Sequence, residues 1–311
     1  MATQQLGVAG LSAEARTFYE KVLLARNEPD YRHEMFGKKI TIPARGGNNV
    51  NLRRFTRPAA ATTALVEGTP PSVTNPTVAS VTISVAQYGA YMLGSDVLSS
   101  QAIDPQLTEW SEVFSEMKND TRDKVVRATI TAGTNVAYAG GGAARSSVAS
   151  GSTFGWAEIR DARKILKGAD APYFSDNKYA VIIHSDVVKN TFADTTVVNA
   201  FQHAGARTGE NPLFKGELGD LQGLRFFESS NAVTFSGLGQ SAGMVYGTLI
   251  CGKDAYAVTE YSADSNAIIF HDAGSSGIND PLNQAWSLGF KTALGVGIVD
   301  QDRLLRYETR G

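Results

Sequence analysis

A chain of 311 residues with 42% hydrophobic and 19% charged content can bury a sizeable core and is far from the composition of a disordered segment. A formal net charge of -2 carries no basic excess of the kind that marks a nucleic-acid binder, and a single cysteine, Cys251, excludes an internal disulfide and a multi-cysteine zinc site. Met1 to Gly10 has neither a basic nor an apolar leader region, so no signal peptide is expected, and no apolar run approaches the ~18 residues of a membrane helix.

Residues 11–28 are expected to form a helix capped by Ser12, with Ala15, Phe18, Val22 and Leu23 near one face and Pro29 ending it. Lys39 to Ile42 reads as a short strand closed by Pro43, and Gly46-Gly47-Asn48-Asn49 as a turn. Val50 to Phe55 is strand-like, and Val81, Ile83 and Val85 alternate with polar or small residues as a half-exposed strand does. Between them Thr56 to Ala79 has little periodicity and contains Pro58, Pro70, Pro71 and Pro76. About two dozen structureless residues are uncommon inside a compact domain, so this stretch predicts a long hairpin projecting from the body.

The strongest helical signal spans 105–132, with Asp104 as cap, Pro105 at the first position and Gly133 past the end. Leu107, Trp110, Phe114, Met117, Val125 and Ala128 mark the expected core stripe, interrupted by Thr121. Glu109, Glu112 and Glu116 near the start and Lys124 and Arg127 near the end suit the helix dipole. Asp120–Lys124 and Asp123–Arg127 are expected i,i+4 pairs. Residues 133–153, rich in Gly, Ala, Ser and Thr around Gly140-Gly141-Gly142, read as a flexible connection and a boundary. A helix is expected from Trp156 to Lys167, with Ile159, Ala162, Ile165 and Leu166 facing inward, then a buried strand from Tyr179 to Ile183. Ser185-Asp186 could cap a short helix through Phe192. Leu224 to Phe227, Met244 to Cys251, Ala267 to Phe270 and two stretches within Ser287 to Tyr307 read as strands. The class is α+β, without a βαβ repeat.

Chemistry-bearing patterns are sparse. Gly247 to Asp254 imitates a phosphate-binding P-loop but ends in Asp, which removes the magnesium-binding hydroxyl and repels phosphate; a turn after a buried strand is expected instead. His33, His184, His203 and His271 show no metal spacing, and neighbours such as His184-Ser185-Asp186 rarely meet as a triad does. No catalytic, cofactor-binding or metal-binding residue is therefore expected. Lys38, Lys39, Arg45, Arg53, Arg54 and Arg57 lie in an acid-free stretch. It is either a solvated face or a contact for an acidic surface, with a protein partner favoured over nucleic acid by the whole-chain charge.

Several passages resemble the major capsid proteins of tailed double-stranded DNA phages, in particular the N4-like family. They are Leu65-Val66-Glu67-Gly68-Thr69-Pro70-Pro71, Gln87-Tyr88-Gly89-Ala90-Tyr91 followed by Ser95-Asp96-Val97-Leu98, Gly252-Lys253-Asp254-Ala255-Tyr256, and Asp280-Pro281-Leu282-Asn283-Gln284 followed by Lys291. The Phe18-Tyr19 helix and the Arg45 to Arg54 stretch are also similar, so the resemblance runs from about Leu11 to Glu308. It implies a Hong Kong 97-type fold: an N-terminal arm over 1–37, an extended hairpin (E-loop) over 38–95, a peripheral domain over 96–153 with a spine helix at 105–132, an axial domain over 154–286, and return strands over 287–311. It implies a non-enzymatic subunit that self-assembles into the hexamers and pentamers of an icosahedral head. Arg45, Arg53, Arg54 and Arg57 would meet a neighbouring subunit. The implied partners are further copies of the chain, a separate scaffolding protein, a portal, a possible cement or decoration protein, and packaged double-stranded DNA contacted without sequence preference. No membrane or cofactor is implied. The expected location is the virion capsid, assembled in the host cytoplasm. Lys38 and Lys39 lie near the base of the hairpin, and no cross-linking lysine is identified at its tip. An encapsulin-like shell protein is the nearest alternative, and a soluble hydrolase using His184 or Asp186 the remote one.

Overall fold

The computed structural model describes residues 29–43, 46–56, 58–95, 106–200, 219–261, 268–274 and 282–311, with the side chains of 106–108 excluded. The expected helix at 11–28, Arg45, Arg57, the Asp104–Pro105 cap and the side chain of Leu107 lie outside the described residues.

The first part of the chain forms strands β1 (Lys38–Ile42), β2 (Asn49–Phe55), β3 (Val78–Ser84) and β4 (Ala86–Ser95), then helix α1 (Gln106–Thr131) and β5 (Val136–Tyr138). The middle holds α2 (Trp156–Gly168), β6 (Tyr179–Ile183), α3 (Ser185–Thr191), β7 (Asp220–Leu221), β8 (Leu224–Glu228) and β9 (Val233–Phe235). The last part supplies β10 (Val245–Cys251), β11 (Tyr256–Tyr261), β12 (Ile268–His271), β13 (Ala285–Ile298) and β14 (Leu304–Arg310).

These strands make three sheets. A seven-stranded sheet runs β5-β14-β10-β6-β8-β7, with β9 also on β10. Strands β6 and β10 are buried throughout, as expected of apolar strands covered on both faces. On one side α2 presents Ile159, Ala162 and Leu166 to Phe154, Val181, Ile183, Ile250, Leu305 and Tyr307. On the other, Val126 and Ile130 of α1 pack with Ile182, Leu249, Cys251, Tyr256 and Leu304. A five-stranded sheet joins β1, β11, β13, β12 and β4, the β4–β13 ladder running from Ala86↔Leu294 to Ser95↔Ala285. Strands β2 and β3 form a two-stranded sheet of their own, registered from Asn49↔Ser84 to Phe55↔Val78.

Strand β1 therefore belongs to the body, where it pairs in parallel with β11 from Lys38↔Ala257 to Ile42↔Tyr261, and the hairpin proper is β2–β3. Of the two C-terminal stretches, β13 lies in the five-stranded sheet and β14 in the seven-stranded one. The Gly-rich connection is pinned down: Ala139 and Val148 are buried, and Arg145 is held on Glu308 of β14 by hydrogen bonds of 2.6 and 2.7 Å. Gly140 and Gly141, both at positive φ, let the chain turn there at little steric cost.

The buried stripe of α1 differs from the expected one. Phe114 is buried against Trp286, Leu288 and Phe290, but Trp110 is 38% and Met117 46% exposed. The stripe continues instead through Arg122, Val126 and Ile130. At 3.6 residues per turn each step of four advances the facing direction by about 40°, so the stripe turns by roughly 160° between Phe114 and Ile130. It follows a change of neighbour, from the β4–β13–β12 region to the seven-stranded sheet. Counting apolar residues missed this because the turn is made by charged side chains. Asp123 also lacks its expected Arg127 partner: it bonds to His33 and Asn231, while Arg127 donates to the Asn231 carbonyl. Asp120–Lys124 forms as expected, at 2.6 Å. We expect Phe114→Ala to cost about 3–5 kcal/mol in urea unfolding of the isolated chain, and Trp110→Ala under about 1 kcal/mol. Equal losses at the two positions would show that the apolar stripe read from the sequence is the core face after all.

Candidate assembly interface and its anchorage

The candidate interface is the β2–β3 hairpin. Its strands are joined by residues 56–77, exposed wherever described and containing no regular element. Phe55, Leu65, Val66, Val73 and Val78 are all more than half exposed. Only the base is packed into the body. Ile83 is 1% exposed, and a Cβ on Gly297 of β13 would come within 2.6 Å of it. A Cβ on Gly295 would lie 2.8 Å from the Ser84 carbonyl oxygen. These two glycines allow the hairpin to cross β13 at backbone distance, and Val85, Val50, Ile42, Ala293 and Tyr261 close the contact.

The adjacent arginines separate. Strand side chains alternate between faces, so Arg53 points outward with Phe55 while Arg54 turns toward the body. Arg54 forms an ion pair with Asp300 in the turn between β13 and β14. The Asp300 carboxylate is 7% exposed, accepts from the Asp302 N–H at 3.2 Å and also receives Arg303 Nε at 3.0 Å. Arg54 thus has a partner in its own chain. Asp300, which sequence reasoning missed, is an intrachain anchor for the hairpin. The alternation of the strand was a legible signal for the separation; nothing local pointed to Asp300.

A second anchorage fixes the segment leading into β1. His33, fully buried, donates its backbone N–H to Asp123 Oδ1 at 2.9 Å, and its Nδ1 lies 2.8 Å from Asp123 Oδ2. Asn231 Nδ2 donates to the same Oδ2 at 3.0 Å, and the Tyr256 hydroxyl donates to the His33 carbonyl. Beside them Arg122 grips Glu34 through Nε–Oε2 at 3.0 Å and Nη2–Oε1 at 2.7 Å, and reaches Glu260 of β11 at 3.2 Å. Burial tends to raise the Asp123 carboxyl, but hydrogen bonds and charge from His33, with Asn231, outweigh it and hold the group below its ordinary value. Burial opposes the same outcome at Glu34, where Arg122 and Lys39 prevail.

The residues of the hydrolase alternative serve the local fold, with His184 Nδ1 also 3.5 Å from Asp186 Oδ2. His184 Nδ1 accepts from the Asp186 N–H at 3.1 Å as the cap of α3, and the Asp186 carboxylate accepts from the Tyr246 hydroxyl at 2.7 Å. Gly247 to Cys251 lies within the buried strand β10, so its backbone N–H groups belong to ladders and do not cradle a phosphate. Cys251 is buried, and desolvation pushes its thiol up to about 12. Among the described residues no cluster of His, Cys, Asp and Glu could hold a metal ion, and no helix is long and apolar enough to cross a membrane.

Solved capsid chains share this arrangement. The whole chain matches 98% of a chain from the capsid of Ralstonia phage GP4, with a TM-score of 0.71 and 14% identity. It has the fold of phage capsid subunits. In the cyanophage Pam1 capsid asymmetric unit the match covers 100% of both chains at a TM-score of 0.72 and 15% identity. The acid-stable capsid of Helicobacter pylori bacteriophage KHP30 gives 99% of both chains, 0.74 and 12%. No family model and no curated protein matches the sequence. The hairpin is exposed over most of its length, and buried polar groups hold the segment before β1, so the anchors of both decide their placement.

Two outcomes follow. Asp300→Asn should leave the β4–β13 ladder protected and raise amide exchange in β2 and β3 about 10- to 150-fold, since hydrogen bonds to charged groups contribute roughly 1.5–3 kcal/mol; unchanged exchange in the hairpin would show that Asp300 holds nothing. Asp123→Asn places an amide N–H where donors already converge and should cost about 3–5 kcal/mol at neutral pH. Because Asp123 and Glu34 are lowered by folding, their stabilisation is complete above their unfolded values near pH 4 and is lost as pH falls from there through the folded values. Urea titrations should show a shallower acid loss in Asp123→Asn than in the wild type.

Proposed function

We propose that this chain is the major capsid protein of a tailed double-stranded DNA phage. In this reading it has a Hong Kong 97-type subunit of the N4-like kind, assembles into the hexamers and pentamers of an icosahedral head, and encloses DNA in a virion built in the host cytoplasm. The observation that carries the reading is the end-to-end match to capsid chains at TM-scores above 0.7. The match includes a hairpin whose apolar residues have no core of their own. In this reading α1 is the spine helix, β2–β3 the E-loop, the five-stranded sheet with α1 the peripheral domain, and the seven-stranded sheet with α2 the axial domain. A scaffolding protein, a portal and a decoration protein are the partners such a subunit would meet. The role is structural, without catalysis.

The separation of the two arginines sharpens the proposed contact. Arg53 and Phe55 face a neighbouring subunit, Arg53 as a donor to carboxylates and Phe55 as an apolar anchor. Arg54 sets the hairpin's pose through Asp300. The test is negative-stain electron microscopy and light scattering of the full chain across protein concentration, with and without the phage's scaffolding protein. Rings, shells or sheets are expected, because obligate interfaces bury more than about 2,000 Å². Arg53→Glu should keep the wild-type melting curve and block assembly or move it to at least tenfold higher protein concentration. A wild-type chain that stays a monodisperse monomer under every condition would sink the capsid reading.

A further inference from the structure

Helix α2 carries Arg160, Arg163, Lys164 and Lys167, at i, i+3, i+4 and i+7. That spacing lines four cations along one face. All four are exposed, on a face turned roughly 120° around the helix from the buried Ile159, Ala162 and Leu166. The acids of the helix stand elsewhere: Glu158 accepts from the Gly155 N–H at 3.1 Å in the N-terminal cap, and Asp161 is half-buried on the flank. Arg163 donates to the Gln222 amide oxygen at 3.3 Å, and the Lys167 ammonium lies 5.0 Å from the Tyr173 ring centre, so neither contact neutralises a charge. Among the described residues no carboxylate forms an ion pair with any of the four, whereas the cations Lys124, Lys178 and Arg225 are matched by Asp120, Asp220 and Asp176. The helix dipole accounts for Lys167, in the last turn, and for none of the other three.

Four positive charges thus sit within about 10 Å of helix on a chain whose formal net charge is -2. No large hydrophobic side chain is exposed on this helix. Protein interfaces draw their affinity from buried aromatic and apolar anchors, and this face has none to offer. Binding to a phosphate backbone needs only the cations, through release of condensed counterions.

We propose that the outer face of α2 binds the phosphate backbone of double-stranded nucleic acid without reading its sequence. The inference rests on the capsid reading only for which nucleic acid this is, namely the DNA inside the head. Four neutralised phosphates give a slope of log affinity against log salt of about -3.6.

The test is fluorescence anisotropy of short random-sequence duplex DNA with the unassembled full chain over a salt series. The wild type should show that slope. The variant Arg160→Ala, Arg163→Ala, Lys164→Ala, Lys167→Ala should keep its circular dichroism and melting, flatten the slope by about 3.6 and weaken binding more than tenfold at low salt. If that variant folds poorly, Arg160→Gln with Lys164→Gln should remove about half the slope. Lys38→Ala, Lys39→Ala, Arg53→Ala, on the other basic stretch, should leave it intact. Salt dependence that survives the quadruple change, or that disappears with the triple one, overturns the proposal. Polyglutamate competing as well as duplex DNA at equal charge also overturns it, in favour of an acidic protein surface. Electron microscopy separates this from the capsid reading: a quadruple variant that closes shells but binds no duplex supports both. A wild type that binds duplex and never assembles overturns the capsid reading and leaves this surface standing.

Discussion

Inside the subunit, the carboxylate of Asp123 accepts from the His33 backbone N–H and from Asn231, and its Oδ2 stands within hydrogen-bond distance of His33 Nδ1. Three parts of the fold meet on it: the segment entering β1, the long helix α1, and the turn after β8. With Arg122 clamped on Glu34 and Glu260 next to it, the polar cluster occupies the place in the α1 stripe where apolar residues would otherwise be expected. A buried charge is tolerated only when its lone pairs are satisfied. These partners therefore specify one docking of the helix, where apolar packing alone would allow it to slide or rotate.

That specification reaches the hairpin. The segment fixed on Asp123 continues through Gly37, where a Cβ would lie 2.6 Å from the Tyr256 ring, into β1 beside β11. Strand β11 pairs with the far end of β13, at Gly295 and Gly297, and the base of β3 rests on those same glycines. Close backbone contact at the base and the Asp300 ion pair further along give the hairpin a defined direction, although residues 58–77 are exposed throughout. A projecting element with a rigid base and an exposed apolar length loses less entropy on meeting a partner than a disordered one, and preorganisation of this kind adds affinity without new contacts.

The charge distribution is uneven and agrees with the proposed capsid role. The hairpin presents one outward arginine beside an apolar residue, the mixture that protein interfaces use. Helix α2 presents four cations with no apolar companion, the pattern that polyphosphates meet. Whole-chain charge, nearly balanced, conceals both.

The elements legible in the sequence were those whose burial is decided by local period. Ile159, Ala162 and Leu166 face inward on α2, Tyr179 to Ile183 forms a fully buried strand, and the proline-rich stretch after Phe55 joins a hairpin, because apolar spacing and chain stiffness act over a few residues. The capsid resemblance rested on scattered short motifs, and the fold agrees with it over the full chain. What only the tertiary structure decided are positions whose environment depends on a distant partner. Trp110 and Met117 looked like core and are exposed, while Asp123, expected in an i,i+4 pair with Arg127, is buried together with Arg122. Asp300 anchors Arg54, and Glu308 pins the glycine-rich connection through Arg145. The physical reason is common to all of them: an apolar side chain is driven inward by its own chemistry, but a charged one can be buried only if a complementary group from elsewhere in the chain arrives at the same point, and no local pattern records that arrival.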